Sequence, residues 1–234
     1  MKKKILIFTA TFNEIENIQK IINVILKNYS NLHLLIIDDN SPDGTGKLVS
    51  RLSKKFKNLK LISRGSKKGL DTAHKKAYQY AKKNNYDYLI TMDADLSHDP
   101  KKINRFINYL SEYSFVIGSR YIKGGKCLMK KKRLLLSKYG NLLIKKVLDI
   151  DLNEFTTSYR GFNLKLLKGF NLNQVKSRGY SFFMATVFEI YFRNFSIKEI
   201  PIIFKDRAKG ESKIPKLEIL RTLKNLIILF FKKK

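Results

Sequence analysis

Short apolar runs alternate along the first half of the chain with longer stretches whose apolar residues recur every three or four positions. The run from Ile5 to Thr11 ends in polar residues, and Ile18, Ile21, Ile22 and Ile25 follow at helical spacing. Leu34 to Ile37 reads as a second strand ending in Asp38 and Asp39. The Ser41-Pro42-Asp43-Gly44-Thr45 stretch is turn chemistry, and a helix through Leu48, Leu52 and Phe56 follows. Leu59 to Ser63 is a third strand, trailed by a helix with Ala73, Ala77 and Ala81 on one face. Tyr88 to Met92 is a fourth strand, ending in Asp93-Ala94-Asp95. Pro100 suits a helix start, and Ile103, Phe106, Ile107 and Leu110 give that helix its apolar face. Phe115 to Ile117 is a fifth strand, ending in Gly118-Ser119-Arg120.

Repeated βα units with short, wholly apolar strands predict an α/β fold, a mostly parallel sheet covered by helices on both faces. Ligands of such sheets bind at the carboxyl ends of the strands. Glu14, Asp38, Asp39, Asp93, Asp95 and Arg120 all fall there. Beyond Gly124 the pattern changes. Leu134 to Leu136, Leu142 to Ile144 and Val147-Leu148 form an apolar face with lysines around it, and Lys216 to Lys234 repeats the theme. Each reads either as a basic amphipathic helix in a membrane interface or as a lysine-rich helix packed on the sheet.

Composition narrows the picture only in places. The 234 residues carry a formal charge of +29, and the lysines are spread along the whole length. Nucleic acid, an anionic membrane surface and phosphorylated substrates all suit that charge. A single cysteine, Cys127, leaves no internal disulfide and no multi-cysteine metal site, and points to a reducing cytoplasmic setting. The apolar part of the N-terminus is too short for a signal sequence. No apolar run reaches the roughly 18 residues of a membrane-spanning helix. No Walker loop or GxGxxG fingerprint follows the first strand, against a P-loop or dinucleotide enzyme. Nucleic acid is not an expected partner, because the aromatic residues do not interleave with the basic ones and unmetallated acidic strand ends would repel phosphate.

The chemistry centres on Asp93 and Asp95. Two carboxylates two residues apart, where a strand opens into a loop, can both approach one hard cation that also binds phosphate oxygens. Arg120, Arg133, Arg207 and Lys213 are phosphate-binding candidates, the last two flanking a Gly-containing basic loop. His33 is expected at a strand start and His74 on a helix; His98, near the acidic motif, either lines the site or, as the favoured reading, lies at the surface, and none has metal-ligand spacing.

In this order, the stretches ATFNE (10–14), DDNSPDGT (38–45), RGSKKGLDTA (64–73), DADLSHDP (93–100), GSRYIKGG (118–125), RLLLSK (133–138), TTSYRGF (156–162), GYSF (179–182) and DRAKGESK (206–213) resemble the inverting family 2 glycosyltransferases of GT-A fold. Within that family they are most similar to the branch that loads mannose onto polyprenyl or dolichyl phosphate. The resemblance implies a GT-A catalytic domain over 1–213 and a membrane-associating helix over 214–234. It implies a nucleotide-sugar site formed by Ala10, Thr11, Phe12, Glu14, Asp39, Asp93, Ala94, Arg207 and Lys213. Mg2+ or Mn2+ would be held by Asp93, Asp95 and Ser97. The lipid phosphate would be gripped by Arg120, Arg133 and Ser137, and the reaction would rest on Asp95, Arg120 and Arg133.

GDP-mannose and a polyprenyl phosphate are the implied substrates, with inversion, at the cytoplasmic face of an anionic membrane and with a possible membrane partner subunit. UDP-glucose or UDP-GlcNAc as donor, or a saccharide acceptor on the same fold, are the alternatives. The chain departs from the family pattern at Ala10 and Phe12, where proline and tyrosine are usual, and at Ser97, where glutamine is common. Glu154 replaces or displaces the acid of the TTSYR region, and Ala185 stands where a glutamate is expected, with Glu189 one turn later. Removing 215–234 is expected to loosen membrane association and leave donor binding intact.

Overall fold

A computed structural model describes residues 3–207 and 217–233. Its centre is a seven-stranded sheet built from β1 (Ile5–Thr11), β2 (His33–Asp38), β3 (Leu59–Ser63), β4 (Tyr88–Thr91), β5 (Phe115–Ser119), β7 (Arg160–Asn163) and β8 (Ile197–Pro201). The order across it is β3-β2-β1-β4-β7-β5-β8, and only β7 runs antiparallel to its neighbours. A parallel pair, β6 (Lys126–Leu128) with β9 (Ile203–Lys205), forms a second small sheet.

The five strands expected from the apolar runs are all present. The sheet is not a simple run of parallel neighbours, because β7 separates β4 from β5. β7 escapes notice in the sequence because its four residues, RGFN, include one apolar side chain. Its register places Gly161 against Ile90 and Val116, where a Cβ would come within 2.9 Å of Leu110.

Alternation along the strands divides the core in two. Ile5, Ile7, Leu34 and Ile36 face α1 (Ile15–Asn28), α2 (Thr45–Ser53) and α4 (Ile103–Tyr109). Leu6, Phe8, Leu35 and Ile37 face α3 (Leu70–Lys83), α5 (Lys131–Leu148), α6 (Ser181–Tyr191) and α7 (Glu218–Lys233). α6, SFFMATVFEIY, is buried around most of its circumference, so it has no amphipathic period to read. α7 coincides with the stretch expected to be an appendage, yet Leu226 and Leu229 belong to the main core. Among the described residues, no helix is long and apolar enough to cross a membrane.

His33 begins β2 and His74 lies on α3, as expected. His74 is buried among Phe8, Phe182 and Phe183, and burial, then the charge of Arg160, lowers its pKa to about 3. Between its ordinary value near 6.5 and that folded value, only the unfolded chain takes up the proton. Stability therefore falls as pH drops below about 6.5, by at most about 1.4 kcal/mol per pH unit from this group. Replacing His74 by Phe should flatten that limb in urea titrations between pH 6.5 and 4. An unchanged slope would show that the ring titrates freely in the fold.

Candidate active site

The carboxyl ends of β1, β2, β3, β4 and β5 open onto two adjoining cavities. The larger, of about 540 Å3, is lined by Ala10, Thr11, Phe12, Glu14, Asp39, Asp93, Ala94, Asp95 and Arg207, all of them expected donor residues. The smaller, of about 270 Å3, is lined by Arg120, Arg133 and Ser137, the expected acceptor residues. Asp93, Asp95, Tyr180 and Arg207 line both, so the two meet at the acidic pair. Lys213 lies outside the described residues.

Local bonding explains how the strand ends hold their shape. Asp38 accepts from Thr11 Oγ1 at 2.7 Å and from the Ser41 amide and hydroxyl, so it ties β1 to the following turn. Asp43 accepts from the Thr45 amide and hydroxyl and from the Ile15 amide. These two acids of the DDNSPDGT stretch are therefore scaffolding. Asp39 lines the larger cavity, but its carboxylate is engaged by Arg64 and by the amides of Lys68 and Gly69. Lys67 rests over the Phe12 ring, 4.2 Å from its centre.

Asp93 is held by the Ser158 hydroxyl. His98 sits behind it, buried rather than at the surface as its sequence context suggested. The Asp93 amide donates to His98 Nδ1 at 3.2 Å, which leaves the ring proton on Nε2, facing Thr157 at 3.4 Å. Burial holds this histidine below its ordinary pKa, hence neutral. Burial also pushes the Asp93 carboxyl up, with the negative charge of Asp95 adding to the effect. Asp95 accepts from the Ser97 amide at 3.1 Å, and Arg207 stands 3.3 Å from its other oxygen and 3.8 Å from Glu14.

These residues suit a divalent cation. The Ser97 hydroxyl is buried beside Asp95 and has no hydrogen-bond partner among the described residues. A buried polar atom in that condition is costly unless something satisfies it. Among the described residues no group of three or more His, Cys, Asp or Glu forms a closed metal cage. The chain thus offers two carboxylates and a hydroxyl, and leaves room for phosphate oxygens and water, the usual arrangement for Mg2+.

Arg120 is anchored by Glu154. Nε donates to Oε2 at 2.6 Å, Nη2 to Oε1 at 2.7 Å, and Nη2 also reaches Thr156 Oγ1 at 2.8 Å. Glu154 is fully buried and also accepts from the amides of Thr156 and Thr157. Burial alone would raise its pKa, but the Arg120 charge and these hydrogen bonds outweigh it and hold the carboxyl below its ordinary value. Gly125 lets the chain pass against this strand end, since a Cβ there would come within 2.7 Å of the Ser119 carbonyl oxygen. Arg133 and Ser137 project from α5, bonded to Asp206 at 3.2 Å and to Tyr121 at 2.7 Å.

Sequence reasoning missed Ser158 and Tyr180 as site residues, although each falls within a matching stretch, and it ranked lining the site below a surface position for His98, which lines the smaller cavity. Glu189 does not replace the glutamate absent at Ala185. It pairs with Lys232 and, at 3.5 Å, with Arg193, tying α6 to α7 away from both cavities. Arg160 is a buried strut, donating to the carbonyls of Thr157, Phe183 and Phe155.

Glu154→Ala should destabilise the fold by about 3–5 kcal/mol, because it strands a buried guanidinium. Urea unfolding at neutral pH measures this, and a loss under about 1 kcal/mol would mean the pair is solvated.

Comparison with known proteins identifies the family. Residues 6–170 match the profile described as Glycosyl transferase family 2. A polyprenol monophosphomannose synthase of Mycolicibacterium smegmatis is 32% identical over 215 residues, covering 91% of this chain and 81% of that protein. An undecaprenyl-phosphate mannosyltransferase of Micrococcus luteus is 31% identical over 212 residues, covering 90% and 87%. Glucosyl-3-phosphoglycerate synthase from Mycobacterium tuberculosis, solved with Mn2+, UDP and phosphoglyceric acid, superposes with a TM-score of 0.70 at 14% identity, over 99% of this chain and 78% of that one. A mannosyltransferase from Pyrobaculum calidifontis, solved with GDP-Man and Mn2+, gives 0.58 at 14% identity, over 100% and 74%. These two likenesses concern the fold, and the sequence matches carry the family: the chain is a glycosyltransferase and belongs to glycosyl transferase family 2.

Proposed function

We propose that the protein transfers mannose from GDP-mannose to a polyprenyl phosphate, with inversion, at a membrane surface. The observation that carries this is the junction of the two cavities at Asp93 and Asp95, with the arginines of the smaller one facing it. The names of the two sequence relatives supply the sugar and the lipid phosphate.

The larger cavity takes the nucleotide sugar and the smaller the acceptor phosphate. Asp93, Asp95 and Ser97 would hold Mg2+ or Mn2+, which stabilises charge on the departing diphosphate. Arg207, already beside Asp95, adds fixed positive charge there. A phosphate monoester is largely ionised near neutral pH, so its oxygen needs no strong base. Glu154 fixes Arg120, and Arg120 with Arg133 and Ser137 orients that oxygen. The phosphate oxygen bonds to the anomeric carbon as the carbon–oxygen bond to the diphosphate breaks, and the nucleoside diphosphate leaves. An α-linked donor then gives a β-linked lipid-phosphate sugar.

The acceptor cavity adjoins a surface suited to lipid. α5, which carries Arg133 and Ser137, exposes Leu136, Tyr139 and Leu142. α7 packs against it and exposes Leu220, Ile227, Ile228 and Phe231. On α7 most of the large apolar residues face outward, the reverse of a helix meant for water. Lysines and arginines on both helices, among them Lys138, Lys224 and Lys232, complement anionic headgroups at the cytoplasmic face. A membrane partner subunit could occupy part of the same surface.

Asp95→Asn should cut turnover by more than about a hundredfold across a Mn2+ titration, with the fold intact by circular dichroism. Normal turnover would remove Asp95 from the metal site. The product should be β-linked by NMR coupling constants, and an α-linked product would contradict inversion. The Leu220→Asp/Ile228→Asp double variant should bind anionic vesicles at least roughly tenfold more weakly in co-sedimentation. Unchanged binding would count against α7 as a lipid contact.

A further inference from the structure

α7 reaches into the donor cavity. Its first turn supplies Glu218, buried, and Arg221, and both line the larger cavity with Arg178, Gly179 and Tyr180. Glu218 Oε1 accepts from the Tyr180 amide at 2.7 Å, and more loosely from the Ser181 amide at 3.4 Å. Glu218 Oε2 pairs with Arg221 Nη1 at 2.7 Å. Farther along the helix, Asn225 accepts from the Ser177 hydroxyl at 2.9 Å. From the other side, Asp71 at the start of α3 accepts from the Gly179 amide at 3.0 Å. The loop carrying Tyr180, which stands between the two cavities, is therefore clamped by one carboxylate from α3 and one from α7.

Gly179 records how tightly α7 closes on this loop. Its φ is +64°, and a Cβ would fall 2.8 Å from Glu218 Oε1 and 2.9 Å from Arg221 Nη1. The glycine of GYSF thus makes room for the first turn of α7.

Charge gives Arg221 a purpose. The carboxylates of Glu14, Asp39, Asp71, Asp93, Asp95 and Glu218 line the larger cavity, against the cations Arg64, Lys67, Arg178, Arg207 and Arg221. Arg64 is engaged by Asp39. Among the described residues of this lining acids outnumber bases, so a diphosphate entering it depends on each remaining cation. Arg221 uses Nη1 on Glu218, and its guanidinium has further N–H groups to offer an anion.

We propose that α7 is part of the donor site: Arg221 binds the nucleoside diphosphate portion of the donor, and Glu218 positions both Arg221 and the Tyr180 loop. This rests on the larger cavity being the nucleotide-sugar site. It reverses the expectation that removing the C-terminal segment spares donor binding.

The test is calorimetric titration of the full chain with GDP and with UDP in the presence of Mn2+, alongside steady-state kinetics with a short polyprenyl phosphate. Arg221→Ala should weaken binding of the preferred nucleotide on the order of tenfold, raise the donor KM to match, and leave the acceptor KM unchanged. Arg221→Lys should recover part of the loss, and Glu218→Ala should weaken binding as Arg221→Ala does. Lys20→Ala, an exposed position on α1 that lines neither cavity, should change none of these values. If Glu218→Ala fails to fold, Arg221→Ala and Arg221→Lys decide the matter alone. Wild-type binding of a nucleotide with Arg221→Ala binding equally tightly overturns the proposal and leaves the donor-site reading standing. Failure of the wild-type chain to bind either nucleotide removes the donor-site reading, and the proposal with it.

Discussion

Two carboxylates, Asp93 and Asp95, share the end of one strand, and much of the surrounding structure deals with their repulsion. Ser158 and the backbone turn closed by His98 fix Asp93, the Ser97 amide holds Asp95, and Arg207 leans on Asp95 from the following segment. Burial, with the charge of Asp95 adding to it, raises the Asp93 carboxyl, and a cation placed between the two would offset that repulsion. The buried, unpartnered hydroxyl of Ser97 lies beside the same pair. Acids gathered in this way suit a divalent cation that brings its own anion, which is what the proposed reaction requires. The larger and smaller cavities meet at this pair.

Much of this was legible in the sequence because the first half obeys local rules. Mainly apolar strands such as LLII and YLIT, each followed by acids, told both the sheet and the edge on which the two cavities open. The second half obeys tertiary rules instead. β7 has too few apolar residues to announce a strand, and α6 is apolar on nearly every side, so neither has a period to detect. His98 looked exposed because it follows polar residues, yet the turn after β4 folds it inward against Tyr159 and Phe204. Asp38 and Asp39 share a strand end but differ in position: the Asp38 carboxylate holds β1 and the following turn, while Asp39, bonded to Arg64 and the 68–69 amides, lines the larger cavity. Position at a strand end finds the neighbourhood of the site. Only the bonding partners separate the groups that face a ligand from those that hold the loops.

Glu154 and α7 show how the later segments complete what the sheet begins. Glu154 departs from the family pattern and still performs an architectural task, fixing Arg120 at the mouth of the smaller cavity. α7 has an outward apolar face, a buried stripe of Leu226 and Leu229, and a first turn that lines the larger cavity. The overall charge of +29 is therefore less informative than its distribution. A few arginines face the cavities, and many lysines border the apolar surface of α5 and α7.

The central claim is sugar transfer to a lipid phosphate. It is tested most directly by incubating the purified chain and Mn2+ with radiolabelled GDP-mannose, UDP-glucose or UDP-GlcNAc in turn, together with a short polyprenyl phosphate, and counting label in the organic phase. Transfer to the lipid phosphate gives organic-phase label from GDP-mannose, lost when the metal is chelated. No organic-phase label from any donor, with nucleotide-sugar binding intact by calorimetry, would contradict it.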